Sequence, residues 1–145
     1  MDDSLMDKAA DGLLALMPLY HRHIFRINRH ISGMETAEYR VLGVLMKSGP
    51  QPISEIGRAL YISKPYMTVL IDSLMEKGWI EKRHDPDDRR VILVSITPDG
   101  KKHLHRAFEV CREDVKTLLS GLGKKDISQL CSSVELLKKI LEKLP

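Results

Sequence analysis

The stretch from Ser63 to Val69 carries side chains that suit contact with a nucleic acid. If a helix begins at Ser63, its hydroxyl and the free N–H groups of the first turn can hold a phosphate, and Lys64 adds a mobile positive charge. Hydroxyl and methyl groups farther along can meet base edges, and methyl groups favour thymine. The predicted contacts in this stretch are Ser63, Lys64, Pro65, Tyr66, Thr68 and Val69.

Arginines supply a second candidate contact surface farther along the chain. Arg83 and Arg89 are predicted to bind phosphates, because a guanidinium group matches the phosphate in geometry and charge. A hairpin tip at 85–90 could also reach a minor groove, which is narrow and negative over A·T runs and attracts arginine. The same loop is a good turn sequence, so an Asp88–Arg90 contact that serves only the loop stays an alternative.

Two short helices must position the first of these surfaces. Apolar residues repeat at helical spacing over 53–60 and again over 67–74, with a break at Tyr61-Ile62. Ser63 is predicted as the N-cap of the second helix and Gly78 as its end. Two helices joined by so short a turn form a helix-turn-helix, whose second helix can enter a DNA major groove.

A hairpin must position the arginines. After residue 78 the apolar period changes to two, which predicts strands over Trp79–Arg83 and Val91–Ile96 joined by a polar loop. A helix-turn-helix followed by a β-hairpin is a winged helix. The predicted fold class is therefore mainly α with a small β-hairpin wing (α+β), flanked by N- and C-terminal helices.

The run from Ser63 to Gly100 resembles the MarR family of multiple-antibiotic-resistance regulators. The resemblance covers residues 34–104 by motif and the flanking helices by pattern only. By this resemblance, Arg90 enters the minor groove and Asp88 orients it through a charge-assisted hydrogen bond. The matching residues are Asp85-Pro86-Asp87-Asp88-Arg89-Arg90, Ile96-Thr97 and Gly100 in the wing, and Ser63-Lys64, Asp72, Leu74, Lys77 and Gly78 in the recognition helix.

Two positions depart from the family pattern. Tyr61 stands in the turn where the family usually has glycine, and Val69 stands where the recognition helix often has arginine. Direct readout of the bases is therefore predicted to rest on apolar and hydroxyl contacts.

Heptad seams at both chain ends predict a homodimer. Apolar residues step by four and three over Leu13–Ile31, Leu104–Leu122 and Ile127–Leu144. Pro18 interrupts the first seam, so a kink or a first helical turn is expected there. Three seams exceed what one winged-helix core can cover, which favours a partner copy. An intrachain helical bundle is the alternative.

The resulting organisation is a single structural domain with three parts. These are an N-terminal dimerisation helix (1–34, frayed over 1–8), a winged helix-turn-helix lobe (35–100) and C-terminal dimerisation helices (101–145). A helix over Glu35–Lys47 is expected to bury Tyr39, Leu42, Leu45 and Met46, and Thr97 is expected to cap the helix after the wing. A two-fold dimer implies a pseudo-palindromic duplex with half-sites about 10 bp apart.

Bulk composition says more about the cellular compartment of the protein than about its function. The 145 residues carry a net charge of only +3, so charge alone does not indicate a polyanion partner. Cys111 and Cys131 form no paired framework, which fits a reducing compartment. No signal peptide, lipidation motif or apolar run of ~18 residues is seen, so a cytoplasmic protein with no membrane partner is expected.

Other function classes find little support. No GxSxG, HExxH, CxxC, P-loop or GxGxxG motif occurs, so neither an enzyme nor a cofactor is expected. His21/His23 and His103/His105 are spaced i, i+2 and do not share a helix face, so no metal site is predicted. A regulator that senses metal, or oxidant through either cysteine, stays an alternative, as does a winged-helix adaptor for proteins.

MarR-like proteins commonly bind small aromatic acids or other amphipathic ligands between the dimer helices and the DNA lobe. A phenolic or lipophilic anion is accordingly predicted near Tyr20, His23, Arg26 and Tyr39. The predicted function is a dimeric, sequence-specific regulator of double-stranded DNA, acting as a repressor that such an effector releases.

Overall fold

The computed structural model describes residues 3–25 and 36–145. The strands are β1 (Gln51–Pro52), β2 (Ile80–His84) and β3 (Ile92–Ile96). The helices are α1 (Asp3–Tyr20), α2 (Thr36–Ser48), α3 (Ile53–Leu60), α4 (Lys64–Glu76), α5 (Pro98–Leu119) and α6 (Lys124–Leu141), and a π-helical segment (His21–Phe25) follows α1. The predicted fold class, mainly helical with a small β wing, is confirmed.

The sheet has three antiparallel strands in the order β1-β3-β2. The β2–β3 hairpin pairs Ile80 with Ile96 and His84 with Ile92, as the two-residue period predicts. The short strand β1 pairs Gln51 with Val94 and is a strand that the sequence analysis did not predict. Because β1 is an edge strand, the missing N–H of its proline breaks no ladder between two neighbours.

One hydrophobic core joins α2, the helix-turn-helix and the sheet. α4 buries the four apolar residues at its predicted spacing. On α2 the prediction is partly wrong, because Met46 is 45% exposed while Glu38 is buried. The buried core residues are Val41, Leu42, Leu45, Ile56, Leu60, Met67, Leu70, Ile71, Leu74, Ile80, Val94, Leu104 and Ala107.

Two glycines allow the chain to turn and pack closely where α4, the sheet and α5 meet. Gly78 adopts a left-handed conformation (φ 73°) and ends α4 as predicted. A Cβ at Gly100 would collide with the carbonyl oxygen of Trp79, so only glycine allows α5 to begin this close to the chain leaving α4. Thr97 caps α5 as predicted, because its Oγ1 accepts a hydrogen bond from the Gly100 N–H at 3.1 Å.

The chain divides into two compact units, residues 1–111 and 112–145, with the division inside α5. In the first unit, α1 has no buried residue. It begins at Asp3, so residues 3–8 are helical rather than frayed, and Pro18 lies inside the helix rather than at a first turn. The helical ladder widens to π spacing just after that proline, in the segment that begins at His21.

The second unit holds the end of α5 and all of α6, and α6 likewise has no buried residue. The apolar residues of the α1 and α6 seams are exposed or half-buried. The largest exposed members are Leu13, Met17 and Tyr20 on α1, and Leu130, Val134 and Leu141 on α6. Within the described residues, none of the helices combines the length and apolar character needed to cross a membrane.

Candidate nucleic-acid interface

The N-terminal end of α4 presents the first predicted contact surface. Ser63 occupies the N-cap with extended backbone angles (φ −64°, ψ 149°), but its side chain makes no capping hydrogen bond. Capping by the Ser63 hydroxyl is therefore absent, and the first-turn N–H groups are left for another partner. Lys64, Pro65 and Tyr66 follow, and all are exposed.

Farther along α4, Thr68 and Val69 are exposed, and the acidic Asp72 is exposed one turn later. Val69 is 62% exposed although it lies one residue from the buried Leu70. The Thr68 hydroxyl donates a hydrogen bond to the Lys64 carbonyl at 3.2 Å, so its proton is used within the helix. In this arrangement Thr68 can offer its lone pairs and its methyl group to a base edge, but not its proton.

The loop of the wing is preorganised by two aspartates. The Asp85 carboxylate accepts hydrogen bonds from the backbone N–H groups of Asp87 and Asp88, at 2.7 and 3.3 Å, which forms an Asx turn. Asp88 in turn accepts two bonds from the Arg90 guanidinium, at 3.2 and 3.3 Å, and one from the Arg90 backbone at 3.0 Å. These bonds to Arg90 lower the pKa of Asp88.

The arginines of the wing face outward. The Arg90 side chain is 91% exposed despite its contact with Asp88, so the pairing directs the guanidinium without burying it. Arg83 lies on β2 opposite Leu93 and is exposed, and Arg89 is exposed at the loop. The backbone carbonyl of Arg89 contacts Nδ1 of His84 at 2.8 Å, which closes the base of the loop.

A buried ionic cluster attaches α4 to α2, and the sequence analysis missed it. The Glu38 carboxylate, with a side chain only 3% exposed, accepts hydrogen bonds from the Ser73 hydroxyl at 2.6 Å and from the Lys77 ammonium at 2.7 and 2.9 Å. Ser73 and Lys77 are four residues apart and so share one face of α4. That spacing was the only available signal, since nothing in the sequence marks Glu38 as buried.

The cluster continues to α5 through aromatic contacts. The Lys77 ammonium lies 5.0 Å from the centroid of the Trp79 ring, and the Trp79 ring stacks on His103 at 3.8 Å. Nε2 of His103 is buried and has no hydrogen-bond partner among the described residues. Burial, followed by the charges of Lys77 and Arg106, lowers the pKa of His103, which favours the neutral imidazole.

A cavity of about 320 Å³ lies between α2 and α5. Tyr39 lines it, and burial followed by the charge of Cys111 raises the pKa of the Tyr39 phenol, so the hydroxyl stays protonated. Of the other predicted effector residues, Tyr20 and His23 are exposed and are not in the lining, and Arg26 lies outside the described residues. The lining is Tyr39, Gly43, Met46, Lys47, Leu104, His105 and Phe108.

Metal sensing requires clustered ligand side chains, and redox sensing requires an accessible, activated cysteine. Across residues 3–25 and 36–145, no three His, Cys, Asp or Glu side chains come together in a way that could hold a metal ion. Cys111 is half-buried against the core, as a small apolar residue would be, and Cys131 is exposed on α6.

Comparison with known proteins gives the family. A model of the MarR family matches residues 32–91, which include the helix-turn-helix, β2 and the loop of the wing but not β3. The HTH-type transcriptional regulator YkoM of Bacillus subtilis is 30% identical over 107 residues, which cover 74% of this chain and 68% of YkoM. The chain belongs to the MarR family.

Further relatives match this MarR-family chain over nearly its whole length. The HTH-type transcriptional regulator MhqR of Bacillus subtilis is 26% identical over 138 residues, covering 94% of this chain and 93% of MhqR. The solved structure of BpsR from Bordetella bronchiseptica, whose DNA binding is regulated by 6-hydroxynicotinic acid, superposes with a TM-score of 0.64 at 26% identity, over 92% of this chain and 94% of BpsR. The protein is therefore a DNA-binding transcription regulator of the winged-helix type, and the prediction of a regulator rather than an enzyme is confirmed.

Proposed function

We propose that the chain is a homodimeric, sequence-specific repressor that grips duplex DNA with α4 and the wing and is released by a small aromatic or lipophilic anion. The observation that carries the proposal is the outward Arg90, held by Asp88 at the tip of a preorganised loop. A loop that is already ordered loses little conformational entropy on binding, so the arginine contact contributes most of its energy to affinity.

The contacts with DNA divide into two groups. We propose that Arg83, Arg89 and Lys64 contact phosphates, which fix the position of the protein and make binding salt-dependent. The exposed side chains of Thr68 and Val69 offer methyl groups and a hydroxyl acceptor to the base edges of the major groove. Sequence preference should therefore favour thymine methyl groups near the centre of each half-site.

The dimer is supported by the uncovered seams. α1 and α6 each have no buried residue, yet both carry apolar residues at heptad spacing. Large exposed apolar surfaces of this kind mark an interaction site. A two-fold dimer through these helices would set the two α4 helices at a fixed separation, about 34–36 Å for half-sites one helical turn apart.

The effector site is supported by the cavity between α2 and α5. Its walls are largely apolar, with the Tyr39 phenol, Lys47 and His105 as polar groups, which suits an aromatic ring bearing an anionic group. BpsR responds to such a compound, 6-hydroxynicotinic acid. The effector would have to bind the dimer whose α4 helices are wrongly spaced for DNA more tightly than the DNA-competent dimer. A difference of about 1–3 kcal/mol in this binding free energy would lower DNA affinity about 5- to 150-fold.

The DNA contacts are tested by fluorescence anisotropy on duplexes selected from a random pool, at several salt concentrations. Arg90→Ala should weaken binding by about 1–3 kcal/mol. Arg89→Ala should reduce the salt slope, the slope of log K against the logarithm of the salt concentration, by about one. Lys125→Ala on α6 removes one positive charge outside both surfaces and is the matched control. Equal effects from Arg90→Ala and Lys125→Ala would contradict the wing contact. A wild-type protein that binds no duplex at low salt would favour the adaptor alternative.

The effector site is tested with a graded series at Gly43. No atom of another element lies within 4 Å of a Cβ built at this residue, so a side chain at position 43 starts in open space on the cavity wall. Gly43→Leu should abolish the loss of DNA affinity caused by 6-hydroxynicotinic acid, while Gly43→Ala, which adds one methyl group, should keep most of the response. An undiminished response in Gly43→Leu would exclude this cavity as the effector site.

A further inference from the structure

Tyr61 occupies a backbone conformation that a tyrosine rarely adopts. It follows α3 with φ 55° and ψ 40°, in the left-handed region. The Tyr61 N–H donates to the Arg58 carbonyl at 3.3 Å and the Ile62 N–H donates to the Gly57 carbonyl at 2.9 Å. This pair of bonds is the Schellman motif, whose left-handed position is usually glycine and sometimes asparagine, because a Cβ crowds the following carbonyl there.

The turn itself does not require a tyrosine. Arg40 donates a hydrogen bond to the Leu60 carbonyl at 3.0 Å, and Ile62 packs against the core, so backbone bonds and the neighbouring side chains hold the turn. The side chain of Tyr61 is 96% exposed, which means that it adds almost no packing in return for its strained backbone. Strain of this kind persists at functional sites, where the side chain serves a partner.

Tyr61 precedes the proposed DNA surface of α4 by only a few residues. Tyr61 lies three peptide units before Lys64, so their Cα atoms are separated by at most about 11 Å. Ser63, Lys64, Pro65 and Tyr66 are exposed beside it, which makes the turn continuous with the face of α4. When a recognition helix enters a major groove, the helix before it crosses the sugar-phosphate backbone, so the turn that joins the two helices is close to that backbone.

We infer that Tyr61 is a contact to the phosphodiester backbone of duplex DNA, with its phenol hydroxyl donating to a phosphate oxygen and its ring against the neighbouring deoxyribose. The inference rests on the proposed DNA-binding function and adds a residue that neither α4 nor the wing supplies. A neutral hydroxyl displaces no condensed counterion, so this contact strengthens binding to all sequences alike without steepening the salt dependence.

The test compares stability and DNA affinity in Tyr61→Gly and Tyr61→Phe. Tyr61→Gly relieves the left-handed strain and should raise the midpoint of thermal unfolding by about 3 °C. The same variant should weaken binding about tenfold or more on both a selected operator and an unrelated duplex, with an unchanged salt slope. Tyr61→Phe should leave the unfolding midpoint unchanged and lose most of the same affinity. Lys64→Ala is the contrasting variant, because it should lower the salt slope by about one.

Each other outcome overturns the inference in a recognisable way. If Tyr61→Gly raises the unfolding midpoint but leaves the affinity unchanged, Tyr61 does not contact DNA, while the proposed function stands on wild-type binding. If stability and affinity fall together, Tyr61 serves the fold. If wild-type protein binds no duplex at low salt, the proposed function fails and this inference fails with it.

Discussion

Replacing Glu38 with glutamine tests how α4 is attached to the rest of the lobe. The carboxylate is almost completely buried and accepts three hydrogen bonds, one from Ser73 and two from Lys77. Glu38→Gln keeps the volume and one acceptor oxygen but removes the charge. The Lys77 ammonium then faces an amide N–H₂ group, so a buried donor meets a donor.

The size of the expected stability loss depends on how deeply Glu38 and Lys77 are each buried. Breaking a buried ion pair costs about 3–5 kcal/mol, because one charge is left without its partner. The Lys77 side chain is 32% exposed and can recover part of its hydration. The expected loss in the free energy of unfolding is therefore below that range, about 2–3 kcal/mol. For a chain of this size it corresponds to a fall of about 6–10 °C in the unfolding midpoint.

The exposed pair Arg58–Glu55 provides a matched control. Its N–O distance of 2.8 Å is close to the 2.7 Å of Lys77–Glu38, but the side chains are 74% and 48% exposed. Glu55→Gln should cost less than about 1 kcal/mol. Urea denaturation followed by circular dichroism, at one fixed protein concentration, measures both variants. Equal losses from Glu38→Gln and Glu55→Gln would mean that burial does not decide the strength of the Lys77–Glu38 pair.

Three further outcomes are expected. Because burial and Lys77 lower the pKa of His103 below 6.5, the unfolded chain takes up the proton first as the pH falls. The free energy of unfolding should therefore decrease as the pH drops below 6.5 and level off once native His103 is protonated. Urea titrations of the wild type and of His103→Gln measure this, and His103→Gln should lack this part of the pH dependence. Gly100→Ala should lower the free energy of unfolding by about 1–3 kcal/mol in the same assay, because its methyl group would collide with the Trp79 carbonyl, and an unchanged value would contradict that close approach. Val69→Arg should change the half-site recovered from a random duplex pool, and an unchanged half-site would mean that this residue does not face the groove.

Periodicity predicted the DNA-binding lobe well because its helices bury one face each. α3, α4 and the hairpin fall within about a residue of their predicted limits, the usual uncertainty of helix ends. The Asp88–Arg90 pair was expected from resemblance and is present as a contact, although its role on DNA is still a prediction. The α1 and α6 seams have no buried residue, and the dimer that the heptad pattern predicts is still a prediction.

The features that sequence reasoning missed depend on contacts between distant segments. Strand β1 is two residues long and ends in proline, so no periodic signal can reveal it. Glu38 is buried because Ser73 and Lys77 meet it from another helix, at sequence separations of 35 and 39. The cavity arises where α2 passes α5, and of the predicted effector residues only Tyr39 lies in its lining.

The Thr97 hydroxyl links α4 and α5 through two hydrogen bonds. Its oxygen accepts from the first turn of α5 while its proton is given to the Gly78 carbonyl, at 2.7 Å, just beyond the end of α4. A tilt of α5 that displaced this atom would therefore also displace the backbone just beyond the end of α4. Serine could keep this mechanical link, whereas valine, of nearly the same shape, would sever it.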